Sequence, residues 1–134
     1  MRGDAFGRDT WPPLAGYECD GAPLDALDGM EGARLAAGAV ATGTPPGYQP
    51  LAVAPLDAGW QELPPREGLA AGEGLHAATL GLFRHAGWRG GAGSGKAGGT
   101  VFSAGTTDWA QVLGNARDRR VERITRNVLY TLLH

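Results

Sequence analysis

The chain has little of several features that would assign a function directly. Its 134 residues include a single cysteine, Cys19, so no internal disulfide or cysteine zinc site can form, as is typical of a reducing cytoplasm. The 12 basic and 14 acidic residues form no long run of either sign, and the basic stripe that binds nucleic acid is missing. No window approaches the roughly 18 apolar residues of a membrane span, and residues 1–9 lack the apolar run of a signal peptide. We therefore expect a cytoplasmic protein that binds neither nucleic acid nor membranes.

What the chain has in excess is glycine and proline. The 23 glycines and 9 prolines bring it close to the range of low-complexity sequences, and alanine supplies much of the 43% hydrophobic fraction. We expect a core built in patches and long irregular segments rich in Gly and Pro. Residues 1–13, which end in Trp11-Pro12-Pro13, are predicted to be an irregular lead-in, because proline disfavours a helix there.

Three segments have the pattern of strands. Leu14–Cys19 predicts a short strand, and Thr100–Ala104 predicts a strand of β-branched and aromatic residues. The apolar run Tyr48–Leu56 predicts a strand whose prolines are confined to the ends of its ladder. Residues 20–47 predict a loop with one weak helical turn, from the spacing of Leu24, Leu27 and Met30.

Three segments predict helices. In Glu73–Ala86, apolar residues repeat every three or four positions, and Gly87 follows as a helix stop. Trp109–Leu113 predicts a short helix that Thr107 or Asp108 would cap. A last helix is predicted to begin after Asp118 and to run to about Leu133, with an apolar stripe of Val121, Ile124, Val128 and Leu132.

The glycine-rich segment 89–99 resembles a phosphate-binding loop only in part. Gly90 to Lys96 satisfies most of the motif, but Ala97 replaces the hydroxyl that would hold magnesium. The segment also follows a predicted helix and precedes a predicted strand, the reverse of the order that such a loop requires. We therefore interpret residues 89–99 as a flexible loop. His76 and His85 fall on different faces of the predicted helix, so we expect no metal site from histidine.

The strongest candidate for chemistry is the segment Gly16–Asp20, where two carboxylates, a phenol and a thiol occur together. On a strand, Tyr17 and Cys19 would share one face, and Glu18 would lie on the other with Asp20. Burial would raise the pKa of such a carboxyl toward neutrality, which suits a general base. The alternative interpretation is a solvated edge residue or a structural hydrogen-bond partner.

Hydroxyl nucleophiles are weaker candidates. Ser103 lacks the glycine frame of a nucleophile elbow, and no histidine is placed by a motif to activate it. We expect Thr106 and Thr107 to serve in a turn and in helix capping.

Five blocks of the sequence together resemble a known family. The blocks are GYECD at 16–20, LAVA at 51–54, ATLG at 78–81, GGTVFSAGTTDW at 98–109 and VERITRNVL at 121–129. In order and spacing they resemble the C-terminal region of proteins like the large (beta) subunit of N,N-dimethylformamidase. The fourth and fifth blocks are the most specific, and the resemblance covers roughly residues 11–133.

The resemblance implies an α/β fold, the C-terminal portion of a class I glutamine-amidotransferase-like domain at residues 14–134. It implies iron-dependent hydrolysis of a formamide to formate and an amine, with the iron ligands upstream of the matched segment, so no metal ligand is carried over. Glu18 is carried over as a catalytic carboxylate that assists the attack of water on the amide carbonyl.

The resemblance implies further that the chain acts with the remainder of a larger polypeptide or with other subunits, on a small amide, and is inactive without them. The alternative function is a non-catalytic docking module, in which the last helix and the strand Thr100–Ala104 bind another polypeptide.

Overall fold

The computed structural model describes residues 5–28, 32–57, 59–61, 77–85, 98–115 and 117–133. Within these residues the chain is a small mixed α/β domain, as expected, with two antiparallel sheets and two α-helices. In chain order the elements are β1 (Leu24–Asp28), β2 (Gly32–Leu35), a 3-10 turn (Ala39–Thr42), β3 (Gln49–Pro55), β4 (Ala77–His85), β5 (Gly99–Ser103), α1 (Trp109–Val112) and α2 (Arg119–Leu133).

The larger sheet has the strand order β3-β4-β5 and is antiparallel throughout. The predicted strands at Tyr48–Leu56 and Thr100–Ala104 are confirmed as β3 and β5, each within a residue or so. Pro55 ends β3 as expected, whereas the ladder is irregular between Pro50 and Ala52 because proline has no amide to donate.

The helix predicted for Glu73–Ala86 is wrong over the described residues 77–85, which form β4 at the centre of the sheet. A central strand is paired along both edges and covered on both faces, so its apolar residues run on without alternating, and such a run mimics helical spacing. Gly81 fits this strand, since a Cβ there would lie 2.6 Å from the Gln49 carbonyl oxygen and overlap the Tyr48 phenol.

The loop with a helical turn predicted for residues 20–47 is also wrong in its first half. Residues 24–28 and 32–35 form an antiparallel pair, with Leu24 opposite Leu35 and Asp28 opposite Gly32. Glycine costs about 1 kcal/mol relative to alanine inside a helix, and pairing with β2 provides the hydrogen bonds that a lone helical turn lacks. The only helical turn described in this region is the 3-10 turn at Ala39–Thr42.

The core lies between the helices and one face of the larger sheet. Leu80 from β4 packs with Trp109 and Val112 of α1 and with Val121 of α2. The Trp109 indole meets the rings of Phe6 and Phe102 edge to face and donates a hydrogen bond to Thr125 Oγ1 at 3.0 Å. Trp109 therefore joins the N-terminal segment, the sheet and both helices.

Both C-terminal helices are confirmed close to their predicted positions. Asp118 precedes α2 as an N-cap, and its carboxylate accepts hydrogen bonds from the amides of Arg120 at 2.8 Å and of Gly7 at 2.7 Å. Burial on its own would raise the pKa of this carboxyl, but other interactions oppose it. Hydrogen bonds from the amides of Gly7, Arg120 and Val121, with the Arg120 charge, outweigh burial and lower the pKa below its ordinary value of 3.8.

Replacing Trp109 should reveal how much the core depends on it. Trp109→Ala is expected to lower the free energy of unfolding by about 3–5 kcal/mol, because a buried indole is lost and a cavity remains. The matched control is Trp11→Ala, since 82% of Trp11 is exposed, and it should change that free energy by less than about 0.5 kcal/mol. Urea denaturation measures both, and equal losses would contradict this account of the core.

The lowered pKa of Asp118 predicts a pH-dependent effect. The carboxylate stabilises the folded state fully above the ordinary pKa of 3.8, and this stabilisation is lost as the pH falls through the lower folded value. Asp118→Ala should cost about 0.5–2 kcal/mol near pH 7, and its difference in Tm from the unchanged chain should narrow as the pH falls from 5 to 3. Asp25→Ala, at an exposed carboxylate, is the control. A Tm difference for Asp118→Ala that stays constant with pH would contradict the prediction.

Candidate functional site

Residues 14–17 form a turn, so the strand predicted for Leu14–Cys19 is wrong over its first four residues. The amides of Gly16 and Tyr17 both donate to one oxygen of Asp108, Oδ2, at 3.2 and 2.9 Å. Successive amides of a strand point to opposite sides and cannot share an acceptor. Two successive amides that donate to the same carboxylate oxygen therefore require a turn at residues 16 and 17. Among the described residues, Cys19 forms an isolated antiparallel bridge with Thr106 and belongs to no named strand.

Just after this turn, the chain is inserted between β4 and the end of β5. The amide of Thr79 donates to the Asp20 carbonyl at 3.0 Å, and the amide of Asp20 donates to the Gly105 carbonyl at 3.0 Å. Gly105 has a φ of 69°, and a Cβ at this position would overlap the Thr79 carbonyl. Glycine is therefore required where β5 bends away to admit Asp20.

Glu18 is held through its backbone. Its carbonyl accepts hydrogen bonds from the Thr107 amide at 3.1 Å and from the Thr107 hydroxyl at 3.3 Å. The residue is exposed, and it lines two adjoining openings of about 830 and 330 Å³. The burial that the general-base interpretation assumed is therefore not observed, and the exposure agrees with the alternative of a solvated residue. The carboxylate of Glu18 is available to a molecule that enters from solvent.

The larger opening is a cleft on the face of the sheet opposite the helices. Side chains alternate along a strand, so Thr79, Phe83 and Ser103 lie on the reverse side from Leu80 and Phe102, which face the core. The cleft residues that bear on its chemistry are Tyr17, Glu18, Asp20, Tyr48, Phe83 and Ser103. The cleft therefore combines two carboxylates with aromatic rings and hydroxyls.

Cys19 lies between the two carboxylates but is a poor nucleophile. Burial raises the pKa of its thiol, and the neighbouring carboxylates Asp108, Asp20 and Glu18 raise it further, although a hydrogen bond with Thr106 opposes them. The thiolate is the reactive form. Cys19 therefore remains a protonated thiol at neutral pH.

The turn that follows β5 is built from side chains that bind distant backbone. The Thr106 hydroxyl donates to the Leu14 carbonyl at 2.7 Å and accepts from the Asp108 amide at 3.1 Å. The carboxylate of Asp108 makes no capping bond to the backbone of α1, although the residue occupies the N-cap position. The turn function expected of the threonines is observed, whereas the capping bond expected of Thr107 or Asp108 is not.

The sequence did not point to Asp108 and Thr79 as residues that build this site. Asp108 is 3% exposed and also accepts a hydrogen bond from Gln111 Nε2 at 2.8 Å. Thr79 receives the Ala22 amide on Oγ1 at 2.9 Å and the Tyr48 hydroxyl on its carbonyl at 3.1 Å. A polar residue at the centre of an apolar strand is the signal that could have identified Thr79.

Of the other candidates from the sequence, only Ser103 borders the site among the described residues. Ser103 lines the cleft as part of β5, and His85 is an exposed residue at the end of β4. His76 and the glycine-rich segment through Lys96 lie outside the described residues.

Two properties of the described residues bear on metals and membranes. No group of three His, Cys, Asp or Glu side chains in this part of the chain is arranged to hold a metal ion. The described helices include none with the length and apolar character needed to cross a bilayer.

Comparison of the chain with protein-family models, with curated proteins and with solved structures found no significant match.

Proposed function

We propose that the chain is the C-terminal part of an amidohydrolase resembling the large subunit of N,N-dimethylformamidase, and that Glu18 is its general base. The observation that carries the proposal is spatial. The sequence blocks that resemble this family are separated along the chain, yet they are in contact around the cleft and the core beneath it.

The contacts between blocks are specific. Block 51–54 pairs with block 78–81 in the sheet, where Ala52 lies opposite Leu80. Block 16–20 is hydrogen-bonded on one side to Thr79 and on the other to block 98–109. Block 121–129 joins the other blocks in the core, where the buried side chain of Val121 packs with Leu80 and Trp109. A shared arrangement of this kind is expected if the blocks serve one site.

The chemistry that we propose is general-base hydrolysis of an amide. The carboxylate of Glu18 takes a proton from water while the water oxygen bonds to the carbonyl carbon. The protonated Glu18 then gives this proton to the amide nitrogen as the C–N bond breaks. The products from a formamide are an amine and formic acid, which loses its proton to water or to the amine and becomes formate.

The finer fold assignment, part of a class I glutamine-amidotransferase-like domain, belongs to the same proposal. It is supported by the packing of α1 and α2 on one face of the larger sheet, with the cleft on the other. It rests mainly on the resemblance, since every described strand pair is antiparallel.

The iron of the resembling family is not assigned to this chain. Acidic and thiol groups do occur together at Glu18, Cys19 and Asp20, but they are not arranged to hold a metal ion among the described residues. We derive no step through iron, and in this proposal any metal ligands come from the remainder of the larger polypeptide.

A second candidate function is docking onto another polypeptide, and the end of α2 favours it. The apolar stripe of α2 is buried at Val121 and intermediate at Ile124 and Val128, but beyond them it emerges into solvent. Leu129, Leu132 and Leu133 are 55%, 46% and 78% exposed. Clustered exposed leucines of this kind are typical of an interaction surface, and in this candidate another polypeptide covers them.

Glu18→Gln in the native polypeptide that carries this sequence tests the catalytic proposal. The substrate is N,N-dimethylformamide, and release of dimethylamine and formate is measured. We expect kcat to fall by about 10²–10⁴-fold, because glutamine cannot accept the proton.

Asp20→Asn is the matched control, since Asp20 also lines the cleft but is not assigned the proton transfer. We expect its kcat to stay within about tenfold of the unchanged protein, less than the typical loss of a general base. A Glu18→Gln protein that retains full activity would overturn the catalytic proposal.

The docking candidate predicts self-association of the isolated chain, because its exposed leucines lack their partner surface. Replacing Leu129 and Leu133 together by glutamine should make the chain monomeric, as measured by sedimentation velocity over a concentration series. Thr131→Gln, on the same turns of α2, should leave the association unchanged. An unchanged chain that is monomeric at all concentrations would count against docking.

A further inference from the structure

We propose that Asp108 is a positioning residue for Glu18, which it places through the backbone of the preceding turn. The inference deepens the proposed amide hydrolysis and rests on it, because it gives a second residue a role in the same reaction. Asp108 itself does not touch the substrate in this scheme.

The geometry that carries the inference is the convergence of three donors on one buried carboxylate. Asp108 Oδ2 accepts from the amides of Gly16 and Tyr17, and Oδ1 accepts from the side-chain amide of Gln111. Only 3% of Asp108 is exposed, so water does not compete for these oxygens. The two backbone donors belong to the two residues immediately before Glu18.

The backbone is the means by which Glu18 can be placed. The hydrogen bonds that the described residues make to Glu18 end on its carbonyl, and both come from Thr107, the neighbour of Asp108. The side chain of Glu18 is exposed and receives no such bond within the described part of the chain. The contacts of the described residues therefore place Glu18 through the position of its backbone.

An ionised carboxylate suits this position better than an amide. Asp108 accepts three hydrogen bonds, and an ionised carboxylate is purely an acceptor. Asparagine could keep its oxygen toward the Gly16 and Tyr17 amides only if the Gln111 amide turned its own oxygen to the new NH₂ group. Hydrogen bonds to a charged acceptor are also the stronger kind. Asp108→Asn keeps the size of the side chain while weakening its hold on the turn.

The test compares Asp108→Asn with Asp118→Asn in the native polypeptide. Asp118 is the matched control because its carboxylate also binds a distant backbone amide, and the hydrogen bonds that it accepts come from Gly7 and from the first residues of α2 instead of from the turn before Glu18. We expect Asp108→Asn to lower kcat for N,N-dimethylformamide by about 10- to 100-fold, the size expected of a catalytic group displaced by about 1 Å. KM should be unchanged, and Asp118→Asn should leave kcat within about threefold of the unchanged protein, well under that loss.

A measurement that does not depend on activity accompanies the kinetics. The Thr107 amide donates to the Glu18 carbonyl and not to the Asp108 side chain, so its hydrogen exchange reports whether Glu18 remains in place. In this chain, Asp108→Asn should accelerate exchange at Thr107 by about tenfold or more, corresponding to partial loss of one hydrogen bond. Asp118→Asn should not do so.

Each outcome decides between the two proposals. If Glu18→Gln abolishes activity while Asp108→Asn changes neither kcat nor the Thr107 exchange, the positioning role is wrong and the proposed function stands. If Glu18→Gln has no effect, the proposed function fails, and the catalytic role of Asp108 fails with it. If Asp108→Asn does not fold, Gln111→Met removes only the Oδ1 hydrogen bond and should cause a smaller loss of kcat at unchanged KM. No loss in that variant would overturn the inference.

Discussion

The arrangement of this domain depends above all on the hydrogen bonds of Thr79. Its amide, carbonyl and hydroxyl each have a partner, and these partners belong to Asp20, Tyr48 and Ala22. Because Thr79 lies in the central strand, it holds both residues 20–22 and Tyr48, just before β3, against the sheet. Because Thr79 is buried, losing any one partner would leave a polar group without compensation. The cleft borders these same residues, and its shape is therefore tied to the centre of the sheet.

A second constraint on the candidate site comes from the turn between β5 and α1. The turn between β5 and α1 holds residues 14–20 through a threonine hydroxyl, a buried carboxylate and backbone groups. This turn holds the backbone of Glu18 without burying its side chain, so the carboxylate is exposed to solvent. The helices complete the support from the other face of the sheet, where Trp109 joins them to Phe6 and Phe102.

The parts of the fold that could be predicted are those with local causes. The prolines that flank the apolar run of β3, the β-branched and aromatic residues of β5, and Asp118 before an amphipathic stripe each indicate their element without reference to the rest of the chain. The strand β4 could not be identified this way, because its apolar run reflects neighbours on every side. Glu18 stood out by composition. The hydrogen bonds of Asp108 could not be predicted, since the amides that it binds lie 91 and 92 residues earlier.

These distant contacts have a consequence for biosynthesis. The Gly7 amide is bound to a residue 111 positions later, and Tyr17 to one 91 positions later. Gly7 and Tyr17 are synthesised before their acceptors, which do not exist until Asp108 and Asp118 have been made. Pairings of such long sequence separation carry a large loop-closure entropy and form slowly. The candidate site can therefore form only after β3, β4 and β5 have been synthesised, because its acceptor Asp108 follows all three.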